Sequence, residues 1–126
     1  MKVLLDTNIL IWWLADSPRL KPKIKKLLIS SDNQLSFSVS SAWEMSIKKS
    51  LKKLETPSDL ELQLERNKID LLPITMESCR MAETLAHHHG DPFDRMLIAQ
   101  AMENKLRLVT ANKVFEKYKV KVILNE

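Results

Sequence analysis

Lys2-Val3-Leu4-Leu5-Asp6-Thr7-Asn8-Ile9-Leu10-Ile11-Trp12-Trp13-Leu14 is the stretch whose reading decides the fold. Its first part is a short apolar run that ends on an acid, the pattern of a buried strand. Thr7 and Asn8 are capping-type residues, and Ile9 to Ala15 reads as a first helix. A buried strand that passes straight into a helix is the opening unit of a parallel α/β sheet.

The same alternation continues outward from it. Asp16-Ser17-Pro18 breaks the first helix, and Pro22 suits the first turn of a second one ending near Ser31. Leu35 to Val39 reads as a second strand. Ser40 or Ser41 then caps a third helix carrying Trp43, Ile47 and Leu51 on one face. Pro57-Ser58-Asp59 opens a fourth helix, and Leu71 to Ile74 reads as a short edge strand because of Pro73. Thr75 caps a fifth helix reaching about His87, and Pro92 starts a sixth running to Asn104. Leu106 to Thr110 is a strand, Lys113 to Tyr118 a short helix, and Val120 to Leu124 a last strand. The expectation is one α/β domain spanning residues 1–126, a three-layer arrangement with a parallel sheet between helices.

Composition narrows the chemistry. The chain has one glycine, Gly90, which excludes the glycine-rich phosphate loops of nucleotide-binding folds. Its one cysteine, Cys79, permits no intrachain disulfide; helical neighbours such as Met76 and Met81 predict burial. The longest apolar run is too short to span a bilayer, and Asp6 interrupts what would be a signal peptide's apolar region. A cytoplasmic protein without a membrane is expected. The net charge of +4 understates a basic surface, because several acids fall at segment junctions instead. Such a surface suits a polyanion.

Those junction acids carry the functional reading. They are Asp6 after the first strand, Glu44 in Ser-Ser-Ala-Trp-Glu, and Asp91 and Asp94 in Gly-Asp-Pro-Phe-Asp-Arg. In open parallel sheets, sites form beyond the carboxyl ends of the strands, where Thr110 and Asn112 also end a strand. Each acid has a structural alternative. Asp6 can cap a helix, Glu44 can complete a capping box with Ser41, and Asp91 before Pro92 is a natural cap. Asp94, at the third position of a buried helix, needs a partner. Converged carboxylates repel and call for a cation, and hard divalent ions take oxygen ligands. That combination points to metal-assisted phosphoryl chemistry.

Four stretches carry a family resemblance: residues 4–14, Ser-x-x-Ser-Ala-Trp-Glu-Met-Ser-Ile-Lys at 38–48, His-His-x-Gly-Asp-Pro-Phe-Asp-Arg-Met-Leu-Ile-Ala-Gln-Ala at 87–101, and Leu-x-Leu-Val-Thr-Ala-Asn-x-x-Phe at 106–115. In these the chain resembles the PIN domains, and within them the VapC-type toxin ribonucleases. The resemblance implies strand order 3-2-1-4-5 and an acidic pocket holding Mg²⁺ or Mn²⁺. It also implies cleavage of RNA, homodimerisation and a cognate antitoxin partner. By position, Asp6, Glu44 and Asp94 become the catalytic and metal-binding acids. Thr110 is the small polar residue beside the metal, with Thr7 and Asp91 in support. The chain departs from many relatives at Asn112, which ligates through a carbonyl oxygen and brings no charge. One well-held metal ion is therefore expected.

Lys48, Arg95 and Lys113 are the candidate RNA phosphate contacts. Trp12 and Trp13, adjacent on a helix apolar nearly all round, suggest a groove for a partner peptide. The alternative is that both tryptophans serve the core. His87-His88-His89 reads as a cluster favoured at a helix C-terminus, with no catalytic need for it. A haloacid-dehalogenase-like phosphatase needs a second Asp where this chain has Asn8. A receiver-type pocket needs paired acids after the first strand. The standing alternative is a PIN-like domain that binds RNA or a partner without cutting.

Overall fold

The computed structural model describes residues 1–54 and 59–126. Pro57 and Ser58, expected to open the fourth helix, lie outside the described residues. Five strands form one parallel sheet in the order β3-β2-β1-β4-β5. They are β1 (Lys2–Leu5), β2 (Gln34–Ser38), β3 (Ile69–Leu72), β4 (Arg107–Thr110) and β5 (Val122–Leu124). The helices are α1 (Thr7–Leu14), α2 (Pro22–Ile29), α3 (Val39–Ser50), α4 (Leu60–Arg66), α5 (Met76–Thr84) and α6 (Pro92–Asn104), with a 3₁₀ turn at Lys113–Lys117. The strand order expected from the resemblance is the one found, and β3 is an edge strand.

Strand side chains alternate between the two faces, and this splits the core. Val3 and Leu5, with Phe37 and Val109, pack with Ile9, Leu10, Ile24 and Leu28 of α1 and α2. Leu4 and Leu108 face the other way, onto Leu97, Ile98 and Ala101 of α6 and onto Phe115. The central strand β1 is buried on both faces, which is why it reads as a continuous apolar run. Gln100 of α6 is wholly buried and ties this layer to the sheet. Its Oε1 accepts from the Ser38 hydroxyl at 2.6 Å, and its Nε2 donates to the Pro73 carbonyl at 3.1 Å.

Several boundaries differ from the expectation. The cap of α3 is Ser38, whose Oγ accepts from the Ser40 amide, so Val39 begins the helix instead of ending the strand. Glu44 therefore lies in the second turn of α3, and Ser41 is not placed to form a capping box with it. On this helix Ser41 and Met45 face inward, whereas Trp43 and Leu51 are exposed. Helix α5 stops at Thr84, so the three histidines occupy the loop beyond it. Cys79 lies on α5 as expected, but on its exposed side.

Candidate active site

The carboxyl ends of β1 and β4 lie side by side, and two residues there lock together. Leu5 pairs with Val109, so Asp6 and Thr110 leave the sheet as neighbours. The Thr110 hydroxyl donates to Asp6 Oδ2 at 2.7 Å and accepts from the Asn112 amide at 3.0 Å. Asp6 Oδ1 accepts from the Thr7 amide at 2.7 Å, so Asp6 also caps α1. The cap reading of Asp6 holds, and the same carboxylate stands at the carboxyl edge of the sheet. Next to it the Thr7 hydroxyl donates to Glu44 Oε1 at 2.7 Å, while Lys48 Nζ lies 3.3 Å from Glu44 Oε2.

Asp91 is the N-cap of α6, accepting from the amides of Phe93 and Asp94 at 2.9 and 3.0 Å. Asp94 then projects from the first turn of α6. Together Asp6, Thr7, Asn8, Glu44, Lys48, Asp91, Asp94, Asn112 and Lys113 line one polar cleft of about 440 Å³. All of these but Asn8 are residues expected at the site, and they share a single space. Asn112 lines it too, but its Oδ1 accepts from the Val114 amide at 3.0 Å and caps the 3₁₀ turn.

The electrostatics of this cleft are one-sided. Burial raises the Asp6 pKa against the lowering effect of its bonds to Thr110 and Thr7, and the charges of Glu44 and Asp91 raise it further. Asp94 is raised to about 6, first by burial and then by Asp6 and Asp91, with His89 opposing. Ionised carboxylates held together in this way are satisfied by a cation. The donors are hard oxygens of the kind divalent ions prefer, so the cleft suits such an ion in kind and in charge. Among the described residues no three His, Cys, Asp or Glu side chains already stand in a coordinating group. Glu44 is turned toward Thr7 and Lys48 instead.

Arg95 departs from its expected role. It is buried, and its guanidinium donates to the carbonyls of Ala86, Leu85 and Ala82 at 2.9, 3.1 and 3.3 Å. Further bonds reach the His89 carbonyl at 3.5 Å and the Tyr118 hydroxyl at 3.3 Å. With both terminal nitrogens spent on the chain and the side chain buried, it is not placed to meet a phosphate. It anchors the loop that carries the histidines. Trp12 and Trp13 are half-buried against the core. The indole of Trp13 donates to Asn67 Oδ1 at 3.3 Å, and Arg19 stacks over the Trp12 ring.

Two residues at this site had no signal of their own in the sequence, His89 and Tyr118. His89 Nδ1 lies 2.7 Å from the Tyr118 oxygen, and Nε2 lies 3.2 Å from Asp94 Oδ2. Arginine can only donate, so Tyr118 accepts from Arg95 and its one proton is free for His89 Nδ1. That leaves the proton of a neutral His89 on Nε2, where it is donated to Asp94. The chain Arg95–Tyr118–His89 thus holds one oxygen of Asp94 and leaves the other to the cleft. His89 cannot be told from His87 or His88 by spacing alone, and Tyr118 sits far along the chain.

Comparison with known proteins agrees with this architecture. Among curated proteins none matches the chain. The chain is similar in structure to VapBC2 from Rickettsia felis bound to a DNA fragment from their promoter, with 19% identity and a TM-score of 0.76 over 100% of both chains. It is similar to VapBC-1 from nontypeable Haemophilus influenzae, with 17% identity and a TM-score of 0.68 over 98% of each chain. FitAcB from Neisseria gonorrhoeae is comparable, with 19% identity and a TM-score of 0.68 over 98% of this chain and 96% of that one. At such identities the likeness is one of fold. The profile of the PIN domain matches residues 3–121, nearly the whole chain, and the protein therefore belongs to the PIN domain family.

Proposed function

We propose that the protein is a metal-dependent endoribonuclease and the toxin half of a toxin–antitoxin pair. The observation that carries this reading is the single polar cleft that Asp6, Glu44, Asp91 and Asp94 share at the carboxyl edge of a PIN-domain sheet, where burial and then the charge of Asp6 raise the Asp94 pKa. Asp6, Asp94 and Glu44 would hold Mg²⁺ or Mn²⁺, with Asn112 able to add a neutral oxygen. Such an ion, when bound, acidifies water and offsets charge on the phosphate oxygens.

The protein's own groups do the positioning. Thr110 and the Thr7 amide fix both oxygens of Asp6, and His89 fixes one oxygen of Asp94. Glu44, tethered by Thr7 and Lys48, or Asp94 would orient the attacking water. Lys48 and Lys113 line the cleft and can meet RNA phosphates, a role that Arg95 cannot share. A toxin–antitoxin complex from Klebsiella pneumoniae is among the structurally similar proteins, which supports a cognate antitoxin as the partner of this chain. The half-buried Trp12 and Trp13 on α1 are its proposed contact. A homodimer and a cytoplasmic location belong to the same reading. Among the described residues no helix is long and apolar enough to cross a membrane.

RNA cleavage by the purified protein with Mg²⁺ or Mn²⁺, against EDTA, tests the proposal. The Asp6→Asn/Asp94→Asn variant should lose about a hundredfold or more of that activity, the scale on which preorganised electrostatic groups act. A second reading is a PIN domain that binds without cutting. It is favoured by the use of the Asn112 oxygen as a cap and by the absence of a ready coordinating group among the described residues. No metal-dependent cutting across a broad RNA panel would establish it.

A further inference from the structure

At the opposite edge of the sheet, by the amino ends of β1 and β4 and the approach to β5, lies a groove of about 510 Å³. Lys2, Lys105, Arg107, Lys119 and Lys121 line it, and no acidic residue does. All five are exposed, and none pairs with a carboxylate among the described residues. The floor between them is apolar, including Leu106 and Met102.

Helix polarity does not account for this cluster. Helix α6 ends here, with Lys105 as its C-cap. The end of a helix carries about half an elementary charge, which one cation answers. Four more remain. Nor is it a uniform sample of the surface, since the chain carries 16 Asp and Glu and none of them lines the groove.

Arg107 pairs in register with Val3, and Lys121 immediately precedes the pairing of Leu108 with Val122, so Arg107 and Lys121 stand side by side on adjacent strands, roughly 5 Å apart. Lys2, one residue before Val3, joins the groove from the alternate face of β1. Several cations spread around one groove match a polymer of negative charges better than a single anion. Apolar floor beside cations is also how single-stranded nucleic acid is held, by stacking and phosphate contact together.

We propose that this groove is a second, sequence-independent phosphate-backbone site for RNA, engaging a part of the molecule remote from the cleft. The proposal rests on RNA being the polymer that the cleft receives. The four residues of β1, at about 3.3 Å each, separate the two edges by at least ~13 Å. A strand of about two or three nucleotides can therefore fill only one site at a time, whereas a long one can bridge both and gain avidity.

The test uses the full chain with Lys105→Asn, Arg107→Gln, Lys119→Gln and Lys121→Gln combined. Binding of uridine homopolymers of about three and about forty nucleotides is followed by fluorescence anisotropy in EDTA over a range of salt. For the long RNA, the slope of log affinity against log salt should become shallower by about 2 to 3, at roughly 0.7 for each phosphate no longer neutralised. Cleavage of the short RNA with Mn²⁺ should be unchanged. An unaltered long-RNA slope overturns the proposal, as does an equal loss of cleavage for both lengths. So does loss of binding to phosphatidylserine vesicles or polyglutamate with RNA binding intact, which would assign the groove to another partner. If circular dichroism shows the combined variant unfolded, Lys119→Glu/Lys121→Glu is read by the same criteria. Failure of the unsubstituted protein to bind either RNA would overturn the RNA reading of the cleft and the groove with it. Binding of both with no gain from length would overturn the groove alone.

Discussion

The two edges of the sheet both gather like charges, and they do so in opposite ways. At the carboxyl edge Asp6 and Asp94 are largely withdrawn from water and fastened by Thr110, Thr7 and His89. At the amino edge Lys2, Lys105, Arg107, Lys119 and Lys121 stand in solvent without partners among the described residues. Two unit charges 4 Å apart interact by about 1 kcal/mol in water but about 4 kcal/mol at an effective dielectric of 20. The basic groove therefore costs the fold little and is sensitive to salt. The acidic cleft stores a penalty that only a proton or a cation relieves. Repulsion at the buried edge is a demand for a ligand, whereas at the exposed edge it is only an opportunity for one.

Arg95 is the cation that breaks this division, and its removal should have the largest effect. It sits beside the acidic edge yet faces inward, bonded to four carbonyls and to Tyr118. Arg95→Ala leaves those buried acceptors without donors, a loss of about 3 kcal/mol or more. In thermal denaturation that amounts to a fall of roughly 10 °C for a domain of this size. If Arg95 contacted phosphate instead, the variant would melt normally and lose RNA affinity.

The stored penalty at Asp94 can be read directly as a pH dependence. Its pKa is about 6 in the folded protein against an ordinary 3.8. Between those values the folded state keeps a proton that the unfolded chain has lost, so stability falls as pH rises through this window. Above pH 6 the penalty is complete. Asp94→Asn removes it and should stabilise the protein at pH 7 by up to about 3 kcal/mol, with the gain vanishing below about pH 4. Mn²⁺ should raise the melting temperature of the unsubstituted protein at pH 7 and much less at pH 5. Denaturant titrations across pH check both. A variant equally stable at every pH would mean that the cleft stores no such energy.

How much of this was legible follows the same physics. The sheet could be read because β1 and β4 are buried on both faces and α6 is a long apolar helix opened by Asp91 and Pro92. The acids could be read because they stand where apolar segments end, a place that sheet topology turns into one edge. What failed depended on direction within an element. Moving the α3 cap from Ser40 or Ser41 to Ser38 shifted Glu44 by most of a turn and turned Trp43 outward. Arg95 follows Asp94 in sequence, but successive helix residues point about 100° apart, so one faces the cleft and the other the interior. His89 and Tyr118 meet only because Arg95 pins the loop after α5, and no local pattern encodes that contact.

The smallest expected effect is at His89, and it bears on how the buried edge is kept ready. His89 donates through Nε2 to Asp94 because Tyr118 occupies Nδ1. Glutamine can place an amide N–H near the position of Nε2, whereas leucine fills similar space with no donor. His89→Leu should therefore weaken Mn²⁺ binding about tenfold, the lower end of what outer partners of ligating groups contribute. His89→Gln should retain most of it. Calorimetric Mn²⁺ titration compares the two without requiring cleavage, and ¹⁵N shifts of the His89 ring in the metal-free protein report which nitrogen carries the proton. Tyr118→Phe removes the group that fixes that choice, so the ring should then sample both tautomers. Equal Mn²⁺ affinity in the leucine and glutamine variants would show that Asp94 needs no orienting donor, and that Asp6, held by Thr110 and Thr7, is enough to define the acidic edge.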